Sequence, residues 1–134
     1  MLCHLSYSNP IPWVCMGDFN NLLSHDEKRG RVPHPSWLIT GFRRVVQDSG
    51  LLDLGFDGYQ FTWARARGSV NWVEEKLDRV LVSRSWHELF NHALASSLTI
   101  SNSDHLPIML IPKLIEKRLW VRKFRFENIW LQDE

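Results

Sequence analysis

Cysteine is nearly absent from this sequence: Cys3 and Cys15 are the only two, and no CxxC pair occurs. That excludes a disulfide framework, argues against a structural zinc site, and fits a reducing compartment. Long hydrophobic runs are also lacking, and none approaches the roughly 20 residues that span a bilayer. The opening Met1-Leu2-Cys3-His4 has neither the basic stretch nor the continuous apolar stretch of a secretory signal. The resulting expectation is an intracellular, soluble chain with no membrane partner. Charge of one sign is missing too. With a net charge of +1, composition does not announce a nucleic-acid partner, so any phosphate-binding surface has to be local. There is no internal repeat and no low-complexity tract.

What is present is globular material. A length of 134 residues suits one domain. Hydrophobic residues at 44% and charged ones at 23% separate the chain from disordered tails. Seven Trp and seven Phe offer large apolar surfaces for a core, where Trp63, Trp72 and Trp86 are expected.

Periodicity gives the elements. Trp13-Val14-Cys15-Met16, ended by Gly17, fits a buried strand feeding a loop. Ser24 to Pro35 is polar, with Gly30, Pro33 and Pro35, and reads as a surface loop. From Ser36 to Gln47, Leu38, Ile39, Phe42, Val45 and Val46 recur at helical spacing, with Ser36 placed to cap and Gly50 to close. Leu51 to Leu54 leads to an Asp57-Gly58 turn. Phe61-Thr62-Trp63 reads as a strand, Arg65 to Ser69 as a turn, then Val70 to Val73 and Lys76 to Val82 as strands. Ser85-Trp86-His87-Glu88 has capping-box spacing for a short helix. Leu94 to Ile100 and Ile108 to Ile111 read as strands flanking a polar loop, Ser101 to His105. Lys113 to Arg125 is basic, and Phe124 to Leu131 is an aromatic tail. Strands and helices alternating irregularly, with hairpin-like joins, predict an α/β (α+β) layered sandwich: a mixed β-sheet with flanking helices.

Three polar clusters stand at predicted strands. Gly17-Asp18-Phe19-Asn20 follows the first; were the segment extended, Asp18 and Asn20 would face one side and could bind a hard cation or orient a water. The alternative is a local turn in which both satisfy nearby backbone groups. Asp78 reads either as a strand charge paired with Arg79 or Lys76, or as a buried carboxylate that fixes a histidine ring. Ser103-Asp104-His105 reads either as a solvated turn or as the place where that histidine stands. Lys28, Arg29 and Arg31, and the turn residues Arg65 and Arg67, can reach a phosphate backbone or serve only as solvated charge. His25, His34, His87 and His92 show no metal-ligand spacing.

The order of these clusters carries more than any one of them. Gly17-Asp18-Phe19-Asn20, Phe61-Thr62-Trp63, Leu77-Asp78-Arg79-Val80 and Ser103-Asp104-His105-Leu106-Pro107-Ile108 together resemble the second half of the endonuclease/exonuclease/phosphatase family. Glu27-Lys28-Arg29-Gly30, Leu52-Asp53-Leu54-Gly55-Phe56, Trp86 and the tail Phe124-Arg125-Phe126-Glu127-Asn128-Ile129-Trp130 look like the endonucleases of plant LINE-type retrotransposons. The resemblance implies half of a DNase I-like four-layer fold over residues 1–112, with 113–134 a basic and aromatic tail or linker toward a reverse transcriptase. It implies Mg²⁺- or Mn²⁺-assisted hydrolysis of a DNA phosphodiester, in the nucleus where the DNA is genomic. Asp18 and Asn20 would orient water and phosphate, Asp104 would sit at the metal, and His105, held by Asp78, would contact the phosphate. The resemblance leaves open whether Asp18 or His105 takes the proton. Family members also carry an Asn, a metal-binding Glu and a phosphate-contacting Tyr ahead of the Gly-Asp-Phe-Asn motif. Met1 to Pro12 holds no Asp or Glu, so the expectation is a truncated domain lacking its amino-terminal half, weak or inactive as a nuclease, or a non-catalytic remnant that binds nucleic acid.

Overall fold

The protein is described here by a computed structural model covering residues 11–99 and 103–113. Cys3, residues 100–102 and the tail beyond residue 113 lie outside the described residues. So does nearly all of the expected second segment, 113–134.

Among the described residues eight strands form three small sheets. β1 (Val14–Asp18), β6 (Asp78–Ser83) and β3 (Leu51–Asp53) make one, in the order β1-β6-β3. β2 (Lys28–Arg29), β5 (Val73–Glu75) and β4 (Trp63–Arg65) make a second, in the order β2-β5-β4. β7 (Leu94–Ser97) and β8 (Ile108–Ile111) pair as the third. All ladders are antiparallel, and the parallel component of the described residues is the isolated Asp57–Ser96 bridge. Two helices, α1 (Ser36–Asp48) and α2 (Arg84–Leu89), flank the sheets. The layered α/β class read from the sequence is the one observed.

The central strand β6 owes its position to Val80, Leu81 and Val82, which are all fully buried. A continuous apolar run needs cover on both faces. Leu81 points to α1, where it meets Phe42 and Val46, and Leu51 of β3 joins the same cluster. Val80 and Val82 point the other way, to Trp86, Ala95, Ile108 and Leu110. Each such side chain is worth about 1.5–3 kcal/mol when fully buried. In α1 the buried Ile39, Phe42 and Val46 lie at positions i, i+3 and i+7, the stripe one helix face presents. Gly50 closes the helix at φ +62°, donating its N–H to the Gln47 carbonyl.

Several local expectations are corrected. Pro35 rather than Ser36 precedes α1, and Ser36 is its first residue. The cap of α2 is Ser83, not Ser85: the Ser83 hydroxyl accepts from the Trp86 N–H at 3.3 Å, two residues earlier than the capping box suggests. Arg65 belongs to β4 rather than to the turn, and β5 starts at Val73 instead of Val70. Trp72 is 46% exposed and is not a core residue. Among the described residues no helix is long and apolar enough to cross a membrane. Cys15 is a free thiol, and burial raises its pKa.

The largest correction concerns Ser24 to Pro35, which is not simply a surface loop. His25–Glu27 forms a 3-10 turn and Lys28–Arg29 becomes β2. The Glu27 carboxylate is buried because it meets Arg79, whose side chain is fully enclosed. Arg79 Nη1 donates to Glu27 Oε1 and to Asp53 Oδ2, each at 2.9 Å, and Nη2 donates to Glu27 Oε2. Lys76 Nζ reaches Asp53 Oδ2 at 3.2 Å and Glu27 Oε1 at 3.7 Å. Two cations thus face two anions, and Glu27 also accepts the Leu23 N–H at 2.6 Å. Removing one partner leaves an uncompensated charge in a poorly solvated place.

Glu27→Ala is therefore expected to lower unfolding free energy by about 3–5 kcal/mol in chemical denaturation. A loss below about 1 kcal/mol would mean that Arg79 finds other compensation.

Candidate active site

The run Val73 to Ser83 changes sheets midway. β5 ends at Glu75 in one sheet and β6 begins at Asp78 in the other. Side chains alternate along β6, so Asp78 and Arg79 point to opposite faces. Arg79 goes to the buried ion network beside α1, and Asp78 goes to the face shared with Val80 and Val82. The pairing of Asp78 with Arg79 or Lys76 is accordingly not what is found.

Asp78 meets His105 instead. His105 Nδ1 lies 3.1 Å from Asp78 Oδ2. An ionised carboxylate only accepts, so Nδ1 carries the proton in this contact. Among the described residues Nε2 is then the uncommitted position of a ring whose side chain is 36% exposed. The carboxylate, by contrast, is mostly enclosed. This is the arrangement in which a carboxylate fixes the tautomer and orientation of an imidazole.

Backbone bonds hold His105 there. The Ala64 N–H donates to the Asp104 carbonyl at 3.0 Å, and the Leu106 N–H donates to the Thr62 carbonyl at 2.7 Å. These bonds flank the antiparallel bridge Trp63–His105. Residues facing each other between two such bonds bring their side chains closest. The histidine loop is thus docked on the edge strand β4.

Asp18 arrives from the other side. It ends β1 and is the direct cross-strand partner of Asp78, so both carboxylates project from one face at one end of the sheet. Two like charges directly opposite are unfavourable unless positive charge lies close. The His105 Nδ1–H, 3.1 Å from Asp78, turns the positive end of a dipole to this pair. Asp18, Asp78 and His105 therefore gather at one rim.

Asn20 does not sit as an extended segment would put it. Its φ is +51°, and its N–H donates to Asp18 Oδ1 at 2.8 Å. The chain turns immediately after β1, which is the local-turn alternative weighed from the sequence. Gly17, at φ +142°, supplies the backbone freedom just before it. Asp104 is exposed, and its carbonyl rather than its carboxylate makes the contact to β4.

The basic residues divide. Lys28 is held by Glu75 at 2.6 Å on β2, two strands away from the edge that receives His105. Arg29 lies over the Phe61 ring at 4.5 Å, with Glu74 at 3.8 Å. Arg65 and Arg67 are exposed. Arg67 lines a cavity of about 480 Å³ with Tyr59, Trp72, Glu74, Thr99 and Leu106, next to the histidine loop. Sequence reasoning did not single out Thr62, Glu27, Asp53 or Arg79 as organisers. The one signal for Thr62 was a hydroxyl inside an otherwise aromatic strand motif.

With this geometry in view, the sequence matches the Endonuclease/Exonuclease/phosphatase family over residues 2–105, well over half of the chain. No curated protein and no solved structure matches it. The observed sheets and helices are those of a partial DNase I-like α/β fold. Enzymes of this family in general hydrolyse phosphodiesters with a divalent metal. Among the described residues no group of three or more His, Cys, Asp or Glu side chains is placed to hold such an ion. Asp18 and Asp104 do not make a cation site by themselves.

One wall of the cavity gives a pH-dependent prediction. Desolvation, and then the hydrogen bond and charge of the buried Glu74, raise the Tyr59 pKa above its ordinary value. A phenol held protonated by the fold contributes stability that is complete below an ordinary pKa of about 10 and is lost as pH rises through the folded value. Phenolate absorbance should show Tyr59 ionising late, and Glu74→Gln should bring it earlier. An unshifted Tyr59 in the parent protein would contradict the assignment of Glu74 as its acceptor.

Proposed function

We propose that this chain, which belongs to the endonuclease/exonuclease/phosphatase family, carries the catalytic rim of a DNA-nicking endonuclease of the plant LINE-type retrotransposon kind. The observation that carries the reading is the Asp78–His105 contact at 3.1 Å, with Asp18 the cross-strand partner of Asp78. Three groups distant in sequence come to one end of one sheet there, two of them in contact. In this reading His105, held at Nδ1, turns its Nε2 edge to a non-bridging phosphate oxygen and stabilises the charge that develops on it. Asp18 holds the attacking water through the carboxylate oxygen that the Asn20 turn leaves uncommitted among the described residues. Asn20, at the turn, contacts the phosphate. Arg65 and Arg67 on the exposed hairpin neutralise flanking phosphates.

The narrower retrotransposon assignment draws support from segments that the fold uses. Glu27 of Glu27-Lys28-Arg29-Gly30 is buried against Arg79, Leu54 and Phe56 pack beneath β6, and Trp86 is in the core. A Mg²⁺ or Mn²⁺ requirement follows from the family reading, and genomic DNA as substrate would place the work in the nucleus. With Asp104 the one residue the resemblance assigns to the metal, and no group of three or more His, Cys, Asp or Glu side chains placed to hold an ion among the described residues, the expected rate is low.

A second reading is favoured by that same scarcity of acidic ligands: a domain that binds nucleic acid without cutting it. Nicking of supercoiled plasmid separates the two. The endonuclease reading expects relaxed circles in Mg²⁺ or Mn²⁺ and a drop of about 10²–10⁴-fold in His105→Ala, Asp78→Asn and Asp18→Asn. Equal rates in parent and variants would remove it. Salt-sensitive binding without any nicking would establish the second reading.

A further inference from the structure

We infer that Thr62 is the positioning residue of the Asp78–His105 pair, joining through one side chain and one carbonyl the two segments that carry them. The sheet change at Lys76-Leu77 creates a backbone problem. As the chain leaves β5 and enters β6, the N–H groups of Leu77 and Asp78 have no ladder partner, yet both residues are buried. An unpaired buried N–H is costly, so something must accept from them. The Thr62 hydroxyl does so for both, at 3.1 Å from the Leu77 N–H and 2.8 Å from the Asp78 N–H.

Thr62 itself is fully buried and fixed by its main chain. Its N–H donates to the Glu75 carbonyl at 3.1 Å, on the strand about to end. Its carbonyl accepts the Leu106 N–H at 2.7 Å, the bond that locks the histidine loop onto β4. The same residue therefore sets where β6 starts, hence where the Asp78 carboxylate stands, and where His105 docks. The hydroxyl holds the Leu77-Asp78 segment and the carbonyl of the same residue holds the histidine loop, so a displacement of Thr62 moves both. Valine has nearly the same shape but cannot accept, whereas serine keeps the acceptor.

The test reads the ring directly, so it does not depend on catalysis. In ¹⁵N-labelled protein the His105 Nδ1 proton is expected to exchange slowly in the parent and in Thr62→Ser, and about tenfold faster in Thr62→Val. A control, Val46→Ala, lowers stability through the far face of the sheet and should leave this proton unchanged. For the nicking rate the inference rests on the proposed endonuclease reading: kcat should fall about 100-fold in Thr62→Val with KM little altered, and recover in Thr62→Ser. A parent protein that does not nick would defeat that reading while the ring measurement still decides the role of Thr62. Folded Thr62→Val with an unchanged Nδ1 proton would overturn the inference. Should that variant fail to fold, amide exchange in the parent decides: Leu77, Asp78 and Leu106 are expected to share strong protection. Free exchange at Asp78 or Leu106 beside a protected β6 would overturn it.

Discussion

The alternation of side chains along β6 ties the stability of this fold to its candidate chemistry. Asp78 and Arg79 are neighbours in the chain and must face opposite ways. Arg79 is enclosed and bonded to Glu27 and Asp53, so its backbone position is set from the α1 side of the sheet. Asp78 inherits that position. The register of β1 on β6 then places Asp18 opposite it. A one-residue slip would turn every side chain of β6 over. Arg79 would face the apolar cluster of Trp86 and Ala95, and Asp78 would lose His105. The buried ion network thus works against such a slip, a penalty that an apolar substitute for Arg79 would not impose in the same way. An apolar set of similar volume can equal a buried ion network in stability, so its value here is in fixing which face is which.

The rim itself is electrostatically uneasy. Asp18 and Asp78 project side by side from the end of one sheet, where like charges repel. The protein answers with different local means for each. Asp78 takes a histidine at 3.1 Å, and Asp18 takes the Asn20 N–H at 2.8 Å. Each arrangement leaves an atom uncommitted among the described residues: Nε2 of His105 and the second oxygen of Asp18. In the proposed reading these are the two atoms that would meet the phosphate and its attacking water.

Much of this was legible in the sequence, for identifiable reasons. The apolar run Val80-Leu81-Val82 and the helical recurrence of Ile39, Phe42 and Val46 are strong periodic signals, and the order of the Asp18, Asp78 and His105 segments pointed to one rim. The failures have a common physical source. Glu27, Lys28 and Arg29 read as solvated because single charged residues usually are, and nothing local announces that Arg79, 52 residues away, will bury one of them. The capping-box spacing singles out Ser85, with Glu88 three residues on, whereas the cap is set by where β6 ends, at Ser83. Of the two conformations left open for Asp18 to Asn20 the turn is the one found, because Asn tolerates positive φ, a choice that no periodic pattern announces.

Why a threonine and a backbone bridge, rather than a further charged pair, should hold His105 can be argued from the tolerance each allows. An ion pair between long side chains keeps its energy over a range of positions and so places its members loosely. A hydroxyl shared by two main-chain N–H groups, and a carbonyl bonded at 2.7 Å, fix backbone against backbone with little slack. The contact between His105 and Asp78 joins a short loop to the first residue of a strand, so its geometry can be no better than the placement of those two backbones. The fold accordingly uses its charges on the α1 face, where register matters, and its main-chain hydrogen bonds at the rim, where distance matters.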